Sequence, residues 1–249
     1  MTRSIYIFIL VSLVSILISG SLQAKEPDWS DYAALLKQYV STEQRHGVQL
    51  NWVGYSKIAK DPRWPRIIKQ IETFSPKLLA TDQERLAFYI NAYNIMAIKV
   101  VVDNWPLESI KDVGNMLWPV WKRVAGKVGG KEVTLNEIEH EILRPMGEPR
   151  IHFAIVCAST SCPDLRKEPF AVDKLDSQLD DQVTQFLNNT KKGLNQKSDG
   201  IRVSKIFSWF DEDFDGKPGI KKFIHYYKPL PEGSSIEADL PYDWQVNGE

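Results

Sequence analysis

The residues best equipped for chemistry stand together in one stretch, Arg150 to Pro163, which reads RIHFAIVCASTSCP. A histidine, both cysteines of the chain and three hydroxyls fall within fourteen residues. Two chemistries fit. Cysteines five apart close a small loop as a disulfide when the compartment is oxidising and the chain turns to bring their Cα atoms within about 7 Å. Alternatively, Cys157 or Cys162 is a thiolate nucleophile served by a histidine base. His152 precedes Cys157 by five residues, a span of about 16 Å if the chain is extended. His140 and His225 are therefore equally compatible as the base. Ser159 and Ser161 offer a Ser–His variant of the same arrangement. With so few cysteines placed so close, a Cys157–Cys162 disulfide is the favoured expectation.

Three further clusters carry polar groups at telling spacings. Asn91 and Asn94 share one face of an otherwise apolar segment, and buried amides must find partners, because leaving one unpaired costs about 1–3 kcal/mol. They either fix neighbouring backbone or line a pocket. Glu137, His140, Glu141 and Arg144 lie at helical spacings, but position 144 is an arginine where a His-Glu-x-x-His zinc helix needs its second histidine. An ion-paired helix face is the expectation there. Asp211 to Gly216, DEDFDG, opens like a calcium loop, but Lys222 stands where the bidentate glutamate belongs and Pro218 interrupts. No metal site is expected.

These residues must be positioned by an alternation of helices and short strands. Asp28 to Tyr39 carries a helical stripe of Tyr32, Leu35, Leu36 and Tyr39, and Val48 to Val53 alternates as a strand does. Thr81-Asp82-Gln83-Glu84 is a capping box, and behind it Arg85 to Val102 is nearly uncharged, as a helix at the centre of a domain would be. A hairpin is expected from Arg123–Lys127 and Lys131–Val133 about Gly129-Gly130. A second capping box, Thr134 to Glu137, starts a helix expected to stop at Arg144, before Pro145. Ile151 to Val156 reads as a buried central strand. Leu175, Leu179, Val183 and Phe186 mark a further helix, Ile201 to Phe207 a strand and Lys217 to Tyr227 a last helix. The polar tail, 231–249, is expected to be loose.

The first 24 residues are laid out as a secretory signal peptide: a basic start at Arg3, an apolar run from Ile5 to Ile18, small residues, and a cut after Ala24. A periplasmic or secreted location follows, with no membrane span once the leader is gone. The 249 residues carry 31 Lys+Arg against 32 Asp+Glu, a net charge of −1, which argues against a nucleic-acid partner. Two cysteines exclude a disulfide-dense scaffold. The fold class is α+β or mixed α/β: one globular domain, residues 25–230, with a central buried helix packed on a small sheet.

Four motifs occur in order: FYINAYN (Phe88 to Asn94), LNEIEHEILR (Leu135 to Arg144), RIHFAIVCASTSCPDL (Arg150 to Leu165) and IFSWFDEDF (Ile206 to Phe214). Together they resemble the bacterial, secreted branch of the family named domain of unknown function 547, over roughly residues 40 to 230. Plant relatives carry the domain behind a leucine-zipper-like segment, which has no counterpart here. Serine-rich versions of the 157–162 loop in those relatives imply that chemistry common to the family does not depend on the thiols. That makes Asn91, Asn94, His152, Ser159 and Ser161 the shared-site candidates. The order of elements is also loosely similar to transglutaminase-like and papain-like cores, although no cysteine heads the helix between Thr81 and Val102.

The reading that results is a ligand-binding cleft at the end of the His152 strand. Asn91, Asn94, Arg144, Ser159 and Ser161 would line it, around a small-molecule or peptide ligand and without a cofactor. The alternative is a Cys–His or Ser–His hydrolase acting on amide or ester bonds of the cell envelope.

Overall fold

Both capping boxes form. Thr81 Oγ1 accepts the Glu84 N–H at 3.1 Å while the Glu84 carboxylate accepts the Thr81 N–H at 2.9 Å. Thr134 and Glu137 repeat the exchange at 3.0 and 2.7 Å. Each pair satisfies N–H groups that the start of a helix leaves unbonded. The structure is a computed structural model and describes residues 26–45, 47–197 and 200–249. The expected leader, residues 1–24, lies outside the described residues.

The chain opens with α1 (Ser30–Tyr39) and the antiparallel hairpin β1 (Val40–Arg45) and β2 (Val48–Val53). After α2 (Tyr55–Ile58) and α3 (Trp64–Thr73) comes the long helix α4 (Asp82–Asp103). A second hairpin, β3 (Val124–Val128) and β4 (Lys131–Thr134), turns at Gly129-Gly130 as expected. The helical segments α5 (Ile151–Ala154) and α6 (Leu175–Asn188) follow. The antiparallel strands β5 (Leu194–Lys197) and β6 (Gly200–Ser204) come next. Then α7 (Ile206–Trp209) and α8 (Gly216–Tyr227) return the chain to β7 (Ile236–Leu240), which pairs parallel to β6.

The domain is thus mixed, with α4 in the principal core, the β3–β4 hairpin packed against it, and three small sheets among the described residues. α4 is long and apolar enough to cross a membrane, but its side chains from Leu86 to Val101 are almost all buried in the principal core. A second core gathers Phe153, Phe186, Phe207 and Phe214 with Val183 and Ile224. Phe153 belongs to the second core and its neighbours Ile151 and Ala154 to the first, so α5 runs along the seam between them.

The strand expected over Ile201–Phe207 ends at Ser204, and Ile206 and Phe207 belong to the helical turn α7. Three further elements differ from expectation. Ile151–Ala154 is a helical turn: the Ile151, His152 and Phe153 N–H groups bond back to Glu148, Pro149 and Arg150 carbonyls, so no strand partner is needed. A short apolar run cannot be told from a buried helix by periodicity alone. The helix after Thr134 does not end at Arg144. Glu137–Leu143 is wound as a π-helix and continues as a 3₁₀ turn through Met146, closing on Gly147 in the left-handed region (φ 71°). Finally, the segment after Pro229 is not loose. It supplies β7, and residues 242–249 thread between β2 and the 157–162 loop, burying Val246 and Asn247.

Candidate functional site

The site grows from the chain between α5 and Pro163. Val156 N–H donates to Asn94 Oδ1 at 2.9 Å, and Asn94 Nδ2 donates to the Ala154 carbonyl at 3.0 Å. One side chain of α4 therefore holds both sides of Ile155 and fixes the segment that joins His152 to Cys157. Asn91 does the same for Phe170, donating to its carbonyl and accepting its N–H at 2.7 and 2.9 Å. Both asparagines are spent on backbone, and neither lines the cavity described below.

The 157–162 loop is strapped down by the C-terminal segment. Thr160 N–H donates to the Gln245 carbonyl, Ser161 N–H to that of Asp243, and Asn247 N–H to that of Ala158. Ser161 Oγ accepts the Asp243 N–H at 2.8 Å, so this hydroxyl is also structural. Ala158 is held at φ 57°, a left-handed conformation that costs an alanine about 1–2 kcal/mol. That turn carries Ser159 back beside Cys157. Ser159 Oγ and the Tyr242 hydroxyl each lie 3.2 Å from Cys157 Sγ, and 3.3 Å from one another. Cys157 N–H donates to Cys162 Sγ at 2.8 Å.

The two cysteines are free thiols, so the expected disulfide is not formed: Cys162 is turned to accept a backbone N–H and to hydrogen-bond the thiol of Cys157. Their acidities diverge. Burial pushes the Cys157 thiol up, but hydrogen bonds from Cys162, the Ser159 hydroxyl, Tyr242 and the Ser159 N–H outweigh it and hold the group below the ordinary thiol range. Burial, then the hydrogen bond and charge of Cys157, drive Cys162 well above it.

Cys157 opens into a cavity of about 270 Å³ whose walls are largely apolar: Trp121, Ile155, Trp209, Phe210 and Trp244. The polar groups on its surface include His140, His152, Glu139 and Tyr93. His152 Nε2 lies 2.6 Å from Asp213 Oδ2, and Arg144 grips the same carboxylate through two nitrogens at 2.7 and 2.9 Å. The imidazole stacks on Phe210 with centroids 4.0 Å apart. Burial lowers the His152 pKa to about 4 against the pull of Asp213, so the ring is neutral at pH 7. Burial works against Asp213 too, yet the bonds from Arg144 and His152 hold its carboxyl below the usual range. A neutral ring beside a carboxylate carries its proton on Nε2, which leaves the Nδ1 lone pair free. Nδ1 is buried and, among the described residues, without a partner.

Glu139 stands on the π-helical turn, a local form that recurs at functional sites. The one hydrogen bond of its carboxylate among the described residues is the long Tyr93 hydroxyl contact, 3.4 Å. Burial, reinforced by the charge of Cys157, raises its pKa to about 7. His140 accepts from Arg144 at 2.8 Å and is lowered, first by burial and then by that guanidinium.

The cavity thus unites His140, His152 and Cys157, with Arg144 and Ser159 immediately behind its wall. His225 is elsewhere, its Nδ1 accepting the Leu230 N–H at the end of α8. Sequence reasoning missed Glu139, Asp213 as a partner of His152, Tyr242 and Trp244. The available signal for the last two was an aromatic pair, PYDWQV, inside an otherwise polar tail. Asp213 was read within a calcium-like run, whereas its carboxylate is committed to Arg144 and His152.

No curated protein and no solved structure matches the chain. Residues 77–187 match the model of the family described as "Protein of unknown function, DUF547". The match takes in three of the four motifs quoted above and, of the cavity, Tyr93, Glu139, His140, His152 and both cysteines. Asp213, Tyr242 and Trp244 lie beyond it. The resemblance read from those motifs holds over residues 77–187, the part of the chain that matches the DUF547 family of proteins of unknown function.

Proposed function

We propose that the cavity is the active site of a thiol hydrolase or acyltransferase, with Cys157 as nucleophile. The observation that carries this reading is the donor shell of Cys157: hydroxyls of Ser159 and Tyr242, the Ser159 N–H and the Cys162 thiol surround a sulfur that faces an apolar cavity. Such a shell stabilises thiolate, the reactive form.

The thiolate attacks the carbonyl carbon of an amide or ester, forming a C–S bond and placing the carbonyl electron pair on oxygen. Collapse expels the amine or alcohol, which takes a proton; Glu139, with its pKa near 7, is suited to give it. Water then cleaves the thioester, losing its proton to a base of the cavity wall and releasing the acid and the thiol. The ionised Glu139 is an acceptor that lines the cavity. The aromatic walls favour an acyl group that is apolar or aromatic. With the secretory leader read from the sequence, the substrate belongs to the cell envelope.

The test is trapping. Mass spectrometry after brief exposure to p-nitrophenyl acetate should find acetyl on Cys157, and Cys157→Ser should abolish both the adduct and ester turnover, while Cys162→Ser keeps them. Turnover that survives Cys157→Ser would overturn the reading.

A second reading, a cleft that binds its ligand without catalysis, is favoured by one observation. His152 is stacked on Phe210 and bonded to Asp213 rather than to the thiol. Under that reading Cys157→Ser leaves ligand-induced thermal stabilisation intact and no adduct forms.

A further inference from the structure

The loop that follows α4 carries a surface the cavity does not use. Asn115 Oδ1 accepts the N–H groups of Leu117 and Trp118 at 3.0 and 2.8 Å, and Asn115 N–H donates to the Trp118 carbonyl at 3.0 Å. This closed turn is an ordered knuckle, and it presents three consecutive apolar side chains to solvent. Met116 is 97% exposed, Leu117 87% and Trp118 61%. Exposed apolar residues scattered singly are ordinary, whereas a contiguous run at an ordered tip marks a contact site.

The charges around the knuckle are one-sided. Between Val113 and Arg123 the chain has no acidic residue, while Lys122 and Arg123 are both exposed. Every other described arginine is ion-paired with a carboxylate; Arg123 has none among the described residues. Lys111, at the other side of the loop, lies 4.6 Å over the Trp244 ring. Two carboxylates near this segment are engaged: Asp112 accepts the Ser109 N–H, and Asp103, in the groove beside Trp118, pairs with Lys99.

We infer that this knuckle docks the protein on an anionic phospholipid bilayer. Leu117 and Met116 enter the acyl boundary, Trp118 sits at headgroup depth, and Lys122 and Arg123 meet lipid phosphates. A bilayer accepts a protruding tip without a shape-matched pocket, and it supplies the anion that Arg123 lacks. Trp121, on the same segment, lines the cavity, so docking would bring that mouth toward the bilayer. The inference does not depend on the thiol reading.

The test is vesicle flotation, run on the exported protein and on residues 25–249, which hold every described element. Phosphatidylcholine vesicles with about one-third phosphatidylglycerol should carry the protein and pure phosphatidylcholine vesicles far less. High salt should weaken the binding, and Arg123→Gln should lower it about fivefold. Leu117→Ser with Trp118→Ser should lower it about tenfold or more, with an unchanged melting temperature. Met116→Ser, at the most exposed position, should weaken binding in the same direction and supplies the reading if the double variant folds poorly. The inference falls if the wild-type protein does not float with the anionic vesicles or if the apolar variants float equally well. It also falls if the patch instead drives self-association in sedimentation that the same variants remove.

Discussion

Asn91 and Asn94 on one side and His152 on the other are equally deep in this molecule, with the half-buried Cys157 on the same cavity as His152, and the two regions do opposite things with their polar groups. The asparagines are 1% and 2% exposed and His152 is 3%. Each asparagine donates to one backbone carbonyl and accepts one backbone N–H, so its carbonyl and amide ends are both tied to backbone. His152 keeps an unpartnered ring nitrogen, Glu139 keeps one long contact to a phenol, and Cys157 keeps a thiol bordered by donors and open to a cavity. Burial of a polar group is not itself a sign of function. What distinguishes the two regions is hydrogen-bonding capacity left over after packing, since native folds normally satisfy what they bury.

The comparison breaks first, and with the largest effect, at Asn94. Asn94→Ala orphans the Val156 N–H and the Ala154 carbonyl together, at about 1–3 kcal/mol each. The expected loss is about 4 kcal/mol, or roughly 10 °C in melting temperature for a chain of this size. Asn91→Ala should lose a similar amount through Phe170. Urea unfolding measures both. Losses under about 1 kcal/mol would mean the two amides are not the structural pair they look like.

A second contrast is in pH. His152 is held neutral with its pKa near 4, against an ordinary value of 6.5, so the stability tied to its neutral form is present above pH 6.5 and is lost as pH falls through 4. Glu139 is shifted the other way, from 4.5 to about 7; its contribution is present below pH 4.5 and is lost as pH rises through 7. Each limb amounts to at most about 3 kcal/mol. Between pH 4.5 and 6.5 the two slopes oppose and nearly cancel, so stability should be level there and fall on either side. Glu139→Gln should remove the falling slope, so that stability climbs from pH 4 to 6.5. His152→Asn should remove the rising slope, so that stability falls from pH 4.5 to 7, with the loss at lower pH that Asp213 contributes through its low carboxyl left in place. Melting curves across a pH series decide this, and unchanged limbs in both variants would erase the contrast.

Legibility in the sequence followed the range of the interaction. The capping boxes at Thr81 and Thr134 and the Gly129-Gly130 hairpin are closed by residues a few positions apart, and all three formed. The Asn91–Asn94 pair was legible as a face, but its partners Phe170 and Val156 lie far along the chain. The cysteine loop was legible as the richest stretch, but not the straps that shape it. Those come from Asp243, Gln245 and Asn247, in a tail whose polarity reads as disorder. Its bonds to the loop are largely backbone to backbone and so leave no pattern in side-chain type. Asp213 was misread because a carboxylate cluster looks the same whether it faces a cation in solution or, as here, an arginine and a histidine from other elements.

The strap itself can be strained. A Cβ on Gly248 would stand 2.2 Å from the Val53 carbonyl oxygen and 2.4 Å from the Tyr55 ring, both in fixed surroundings. Gly248→Ala should cost about 2 kcal/mol and displace residues 242–247. Its sharper consequence is at a distance: Tyr242 would leave Cys157, and the alkylation rate of Cys157 should fall. An unaltered rate in a destabilised variant would show that the tail packs the domain without shaping the thiol.

The smallest stability change should come with the most selective chemical one. Ser159→Ala removes a hydroxyl whose two partners, the Cys157 thiol and the Tyr242 hydroxyl, keep each other at 3.2 Å. No backbone group is orphaned, so the cost should stay below about 1 kcal/mol, in contrast to Asn94→Ala. The thiolate nevertheless loses one of its donors, and its pKa should climb by about half a unit to one unit. Iodoacetamide at neutral pH should then alkylate Cys157 several-fold more slowly, with the difference vanishing at high pH where the thiol is fully ionised in both proteins. A slowing that persisted at high pH would point to altered access instead. Ser159 would then belong with the asparagines, as a residue that builds the loop, and not with the groups that set the reactivity of Cys157.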